Sequence, residues 1–165
     1  MQIRFGIIGT NFVTDWVIEA MRENSKVSVK AIYSRTKERA DEFAAKHSIP
    51  HKFTSLEEMA SCDLIDAVYI ASPNSCHASQ SILFMKHGKH VLCEKPLASN
   101  SHEVKEMIIA AKQNGVVLMQ ALKTTLTPNF RAVLDNFERI GKPRHYFATY
   151  CQYSSRYDKL KEVIK

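Results

Sequence analysis

The residues best suited to chemistry fall into four short clusters, each placed directly after an apolar run. The most pointed is Cys93-Glu94-Lys95-Pro96. A lysine ammonium held beside a bound substrate can polarise or protonate a substrate oxygen, and a proline behind it fixes the backbone that aims it. Two adjacent charges at a turn are equally consistent with a surface ion pair. The second cluster, Gly6-Ile7-Ile8-Gly9-Thr10-Asn11-Phe12-Val13-Thr14, joins a strand-like run to a helical one, the position of a dinucleotide-binding loop. There glycines admit a pyrophosphate to the backbone, and the helix N-terminus offers free N–H groups and a partial positive charge. Against G-x-G-x-x-G only Gly9 matches. Asn11 stands at the second glycine, where Asn tolerates left-handed backbone better than most residues but brings a side chain that would crowd the phosphates. By itself the loop is equally consistent with an ordinary tight βα turn.

The third cluster is Ser34-Arg35-Thr36-Lys37. An acidic residue at this place would accept from the ribose hydroxyls of NAD, whereas arginine accommodates a 2′-phosphate. With a hydroxyl, cations and no acid, the segment favours NADP(H) over NAD(H), unless Arg35 and Lys37 are simply solvated residues at a helix start. The fourth is Ser72-Pro73-Asn74-Ser75-Cys76-His77. It faces the ligand crevice if the run before it is a strand of a parallel sheet. Asn74 could instead cap the following helix, with His77 on its surface.

The elements that must position these clusters alternate. Strands are expected at Ile3–Ile8, Val27–Tyr33, Asp66–Ala71, His90–Cys93 and Val116–Ala121. Helices are expected at Phe12–Arg22, Lys37–His47, Ser75–His87, Ser101–Asn114 (capped by Asn100 or Ser101) and Pro128–Ile140. In the first helix the apolar positions are 12, 13, 16, 17, 20 and 21, and Met85, Met107 and Met119 read as core. This order predicts an α/β fold, a doubly wound, mainly parallel sheet with helices on both faces. After Pro143 the aromatic stretch Arg144–Tyr153 predicts one further strand, which cannot bury its own face alone.

Composition narrows the classes. The 165 residues are 45% hydrophobic and 24% charged, as in ordinary globular chains. No apolar run approaches the roughly 18 residues of a membrane span, and no secretory signal is legible. Four scattered cysteines without C-x-x-C suggest neither a zinc site nor a disulfide framework, so a reducing cytoplasm is the expected setting. Of the net charge of +6, the segment 139–165 carries seven basic and two acidic residues, +5, leaving +1 elsewhere. A uniformly basic nucleic-acid binder is therefore not expected.

Together the four clusters resemble the Gfo/Idh/MocA oxidoreductases, the glucose–fructose oxidoreductase and inositol dehydrogenase group. The matching residues are Gly6-Ile7-Ile8-Gly9, Ser34-Arg35, Ser72-Pro73-Asn74 with His77, and Glu94-Lys95-Pro96, the last being the most specific. The resemblance implies a Rossmann domain over residues 1–122. Residues 123–165 would form the crossover and first strand of a second, α+β substrate domain that stops short. It implies hydride transfer between NAD(P) and a sugar- or cyclitol-like alcohol. Lys95 would hold the substrate hydroxyl and the nicotinamide ribose, and Glu94 would contact the ribose. Pro73 and Asn74 would line the cleft, with Gly9, Thr10, Asn11, Phe12, Ser34, Arg35, Ser72 and His77 completing the cofactor set. Lys123, in the crossover, is a candidate substrate-facing residue. A chain cut inside its second domain is expected to turn over little or not at all. The alternatives are a non-catalytic nucleotide-binding module, a gene relic, or a homo-oligomer paired through the orphan strand.

Overall fold

The computed structural model describes residues 2–151 and 154. The chain divides into two compact units, Met1–Lys123 and Thr124–Lys165.

In the first unit six strands form one parallel sheet: β1 (Ile3–Ile8), β2 (Val27–Tyr33), β3 (His51–Phe53), β4 (Ala67–Ile70), β5 (His90–Cys93) and β6 (Leu118–Gln120). Their order is β3-β2-β1-β4-β5-β6. The helices are α1 (Phe12–Arg22), α2 (Lys37–Lys46), α3 (Leu56–Ser61), α4 (His77–Lys86) and α5 (Ser101–Gln113). Alternation along the central strands sorts the core into two layers, because successive side chains point to opposite faces. Ile7, Ile32 and Tyr69 bury against Ile18 of α1 and Phe43 of α2. Ile8, Ala31, Val68 and Ile70 bury against Met59 of α3, Phe84 and Met85 of α4, and Met107 of α5. A side chain such as Ile18, removed entirely from water, contributes about 1.5–3 kcal/mol. This is the doubly wound Rossmann arrangement that the alternation of elements predicts.

At the N-terminal ends of the strands, Arg4 ties β1 to the residue before β4. Its Nη2 donates to Asp66 Oδ1 (2.6 Å), its Nε to Oδ2 (3.0 Å), and its backbone N–H to the same Oδ2 (2.8 Å). Those bonds, the guanidinium's first, hold the Asp66 carboxyl down to about 2.

Several boundaries and two elements differ from the sequence expectation. β3 is a three-residue edge strand, His51-Lys52-Phe53, without the apolar run that marks a buried strand. α3 is one short helix whose signal was present, since Ser55 followed by Glu58 is a capping pair and Ser55 Oγ accepts from Glu58 N (3.2 Å). The core-facing stripe of α1 is Thr14 and Ile18, both buried, with Val17 and Met21 half-buried beside them. Phe12 and Trp16 are instead 63% and 60% exposed and stack edge-to-face on one another. Met85 and Met107 are core as expected, but Met119 lies on the edge strand β6 and is half exposed.

The second unit holds α6 (Pro128–Asp135) and a 3-10 turn, Phe137–Ile140, rather than one helix through Ile140. Gly141, at φ +70°, ends it. The strand expected at Arg144–Tyr153 is not formed: Arg144 to Cys151 has no strand, while Gln152 and Tyr153 lie outside the described residues. Tyr146, Phe147 and Tyr150 are each nearly nine-tenths exposed. A β-prone segment without a neighbouring strand to take its N–H and C=O groups does not become a strand.

Candidate functional site

Because every strand is parallel, the four clusters emerge on one edge of the sheet, after β1, β2, β4 and β5. Strand order reverses between β1 and β4, so the loops after those two strands diverge and open a crevice there.

The loop after β1 is built by two residues. Gly9 has φ +111°, and a Cβ there would stand 2.5 Å from the Ala71 carbonyl oxygen. Only glycine lets β1 leave the sheet this close to the end of β4. Asn11 has φ −101°, ψ 173°, an ordinary extended conformation, so tolerance of left-handed backbone is not why Asn stands there. Its Oδ1 accepts from the N–H groups of Val13 (2.9 Å) and Thr14 (3.3 Å). Its Nδ2 donates to Ala71 O (2.8 Å). The side chain is thus drawn into the helix cap and toward β4 instead of crowding the loop. The N–H groups of Thr10, Asn11 and Phe12 meet no protein acceptor among the described residues. They are the donors a pyrophosphate would take, and the close-packed Gly9 turn with those free N–H groups fits a dinucleotide.

After β2, Ser34 is half-buried, and Arg35 and Lys37 are exposed. Thr36 caps α2, accepting from Arg39 N (3.3 Å). Arg39 was not singled out by sequence. Its Nε donates to Thr10 Oγ1 (3.2 Å), its Nη2 to Thr10 O (3.0 Å) and its Nη1 to Glu42 Oε2 (2.7 Å). A guanidinium in the first turn of α2 therefore buttresses the phosphate-side loop. Thr10, Asn11, Phe12, Arg39 and Glu42 line one open cleft of about 680 Å³ with Asp15, Phe43 and Lys46.

After β4, Pro73 and Asn74 are exposed, and Asn74 makes no helix cap. Ser72 Oγ donates to Gln80 Oε1 (2.7 Å). His77 is not a surface residue; its ring is completely buried and lies 2.9 Å from Ser72 O and 2.8 Å from Pro96 O.

After β5, Glu94 is oriented from two sides. Its Oε1 accepts from the Tyr69 hydroxyl (2.8 Å) and its Oε2 from the Lys95 backbone N–H (3.1 Å). Among the described residues the Lys95 ammonium forms no ion pair with it, and Lys95 stands exposed on this edge. Burial, then the Glu94 carboxylate, raises the Tyr69 hydroxyl well above its ordinary value, so it stays a neutral donor. Burial pushes the Cys93 thiol up to about 11, which makes it a poor nucleophile. The Lys95–Pro96 peptide is cis. Tyr69, like Arg39, was missed. Its signal was the polar tip within the apolar run Ala67-Val68-Tyr69-Ile70, since a buried tyrosine hydroxyl needs a partner.

The structure thus links the clusters: Arg39 to Thr10, Asn11 to Ala71, His77 to both Ser72 and Pro96, and Tyr69 to Glu94. Lys123 falls at the end of the first unit, where a 3-10 turn, Lys123–Leu126, begins.

A crevice at the strand-order reversal of a doubly wound sheet, with a glycine turn and free helix-terminal N–H groups, is the architecture of a dinucleotide-binding fold. Residues 3–122 match the family model GFO_IDH_MocA, "Oxidoreductase family, NAD-binding Rossmann fold", and the chain belongs to that family. It is 57% identical over 160 residues to the scyllo-inositol 2-dehydrogenase (NADP(+)) IolU of Bacillus subtilis (strain 168), covering 97% of this chain and 49% of the relative. The crystal structure of an NAD binding oxidoreductase from Klebsiella pneumoniae matches with a TM-score of 0.81 at 29% identity, over 87% of this chain and 41% of that one. KijD10, a 3-ketoreductase from Actinomadura kijaniata in complex with NADP and TDP-benzene, matches with a TM-score of 0.78 at 28% identity, over 84% and 43%. The chain spans about half the length of the relatives it matches. Among the described residues no helix is long and apolar enough to cross a membrane.

Proposed function

We propose that this chain carries the cofactor half of an NADP(H)-preferring oxidoreductase acting on a sugar- or cyclitol-like alcohol. The observation that carries the reading is the joining of all four strand-end loops into one linked edge around the Gly9 turn. When bound there, the nicotinamide group supplies the hydride acceptor or donor. The chain's own residues do the rest. The N–H groups of Thr10, Asn11 and Phe12 hold the pyrophosphate, while Ser34 and Arg35, with no acid after β2, receive a 2′-phosphate. Pro73 and Asn74 line the crevice. Glu94, turned by Tyr69, holds the nicotinamide ribose, and the exposed Lys95 ammonium orients the substrate hydroxyl and moves its proton. The cyclitol class is suggested by the name of the 57%-identical relative. All four cysteines are free thiols, in keeping with a reducing cytoplasm.

The test is a pair of fluorescence titrations, with NADPH and with NADH. NADPH is expected to bind tighter, and Arg35→Ala to narrow the gap by weakening NADPH about tenfold while sparing NADH, the effect of one lost charge-assisted contact. Failure of both nucleotides to bind at millimolar concentration would overturn the reading.

A further inference from the structure

His77 sits at the junction of two loops, and its ring geometry carries a consequence for its protonation. Both ring nitrogens lie at hydrogen-bond distance from backbone carbonyl oxygens, Nδ1 from Pro96 O (2.8 Å) and Nε2 from Ser72 O (2.9 Å). Carbonyl oxygens only accept. A neutral imidazole has one N–H, so it satisfies one carbonyl and turns a lone pair on the other. Only the doubly protonated ring donates to both. We infer that His77 is a positioning residue, a proton-dependent clamp that holds the Ser72-Pro73-Asn74 loop and the Lys95-Pro96 loop together when its ring is cationic and releases one of them when it is neutral.

Opposing forces bear on this state. The ring is completely buried, and it lies at the start of α4, where the helix dipole disfavours a cation. Against that stand two carbonyl dipoles aimed at the ring. A neutral ring would also set two lone pairs against each other inside 3 Å and leave one carbonyl without its donor. α4 packs on β4, β5, α3 and α5. The titratable groups at this end of those elements are Tyr69, Cys93, Glu94, Lys95, Glu57, Glu58, His102 and Glu103, with Cys76 next to His77 itself. None of them is hydrogen-bonded to the ring among the described residues. Glu94 is taken by Tyr69 and the Lys95 N–H, Glu103 by Ser99 N–H (2.9 Å) and Glu57 by Ser55 Oγ (3.4 Å).

The clamp acts on cofactor and substrate through the loops bearing Asn74 and Lys95, and to that extent it rests on the function proposed above. The experiment has two arms. In the first, nitrogen-15 spectra of the histidine rings are recorded on the nucleotide-free protein across a pH series, with the amide signals of Ser72 and Leu97 followed in parallel. A ring titration that moves the Ser72 or the Leu97 amide with the same midpoint bears the clamp out. A single neutral tautomer throughout, a doubly protonated ring throughout, or a titration that moves neither amide overturns it. In the second arm NADPH affinity is measured over the same series for the wild type and His77→Gln, whose amide carries its donors on one nitrogen and does not titrate. Where the wild-type ring titrates, affinity is expected to fall about tenfold with that midpoint, while the variant is flat. A wild-type profile matching the variant's across that midpoint would overturn the coupling. If NADPH fails to bind at every pH, the functional reading fails, and the first arm still decides the clamp.

Discussion

Asn11 carries two separable jobs, and removing them one at a time measures each. Its Oδ1 caps α1 through Val13 and Thr14, and loss of such a cap costs about 1 kcal/mol. Its Nδ2 satisfies Ala71 O at the end of β4, and loss of that bond costs about another 1 kcal/mol. Asn11→Ala is therefore expected to lower stability by about 2 kcal/mol. At a urea slope near 2 kcal/mol per molar that is a midpoint shift of about 1 M. Asn11→Ser keeps a capping oxygen but is too short to reach Ala71, so it should lose about half as much. Urea unfolding followed by circular dichroism checks both, with the slope expected to stay constant. An Asn11→Ala variant within about 0.5 kcal/mol of wild type, or a Ser variant no better than Ala, would refute the division of labour.

Two other outcomes are expected. Asp66 is held well below its ordinary 3.8, at about 2, in the folded chain; a depressed carboxyl contributes stability above its unfolded value and loses it as pH falls. The urea midpoint should therefore drop between pH 3.8 and about 2, and Asp66→Asn should be weaker at neutral pH with a flatter profile over that window. Tyr69→Phe removes the hydroxyl that turns Glu94 while keeping the buried ring. Calorimetric titration should show NADPH affinity reduced about three- to tenfold, with stability changed by no more than about 1.5 kcal/mol; unchanged affinity would remove Glu94 from the cofactor contacts.

The strand and helix pattern was legible because the central strands are continuous apolar runs and α1, α2 and α5 begin at capping residues. Ser34-Arg35, Ser72-Pro73-Asn74 and Glu94-Lys95-Pro96 were legible because they follow those runs directly. What stayed hidden is long-range. Arg39 meets Thr10, 29 residues away, and Tyr69 meets Glu94, 25 away, with no spacing rule to announce either. Asn11 was chosen by sequence but for the wrong backbone reason: its extended φ shows the side chain, not the main chain, to be what the position uses. His77, which the spacing alone left open as a surface residue of a first helical turn, is buried because two loops close over it. The aromatic stretch after Pro143 shows the converse, a strong local preference with no neighbouring strand among the described residues to fulfil it.

The order of strands across the sheet, β3-β2-β1-β4-β5-β6, also dictates how the sheet can grow. Counting from the N-terminus, β2 joins β1, β3 joins the outer side of β2, β4 takes the remaining side of β1, and β5 and β6 follow outward. Every new strand docks on an open edge, and no finished pair has to be parted to admit a latecomer. A chain emerging from synthesis N-terminus first can therefore lay the sheet down in the order it is made. Its first half already holds the Gly9 turn and the Arg39 buttress, and the crevice closes only when β4 and β5 arrive with Ala71, His77 and Glu94.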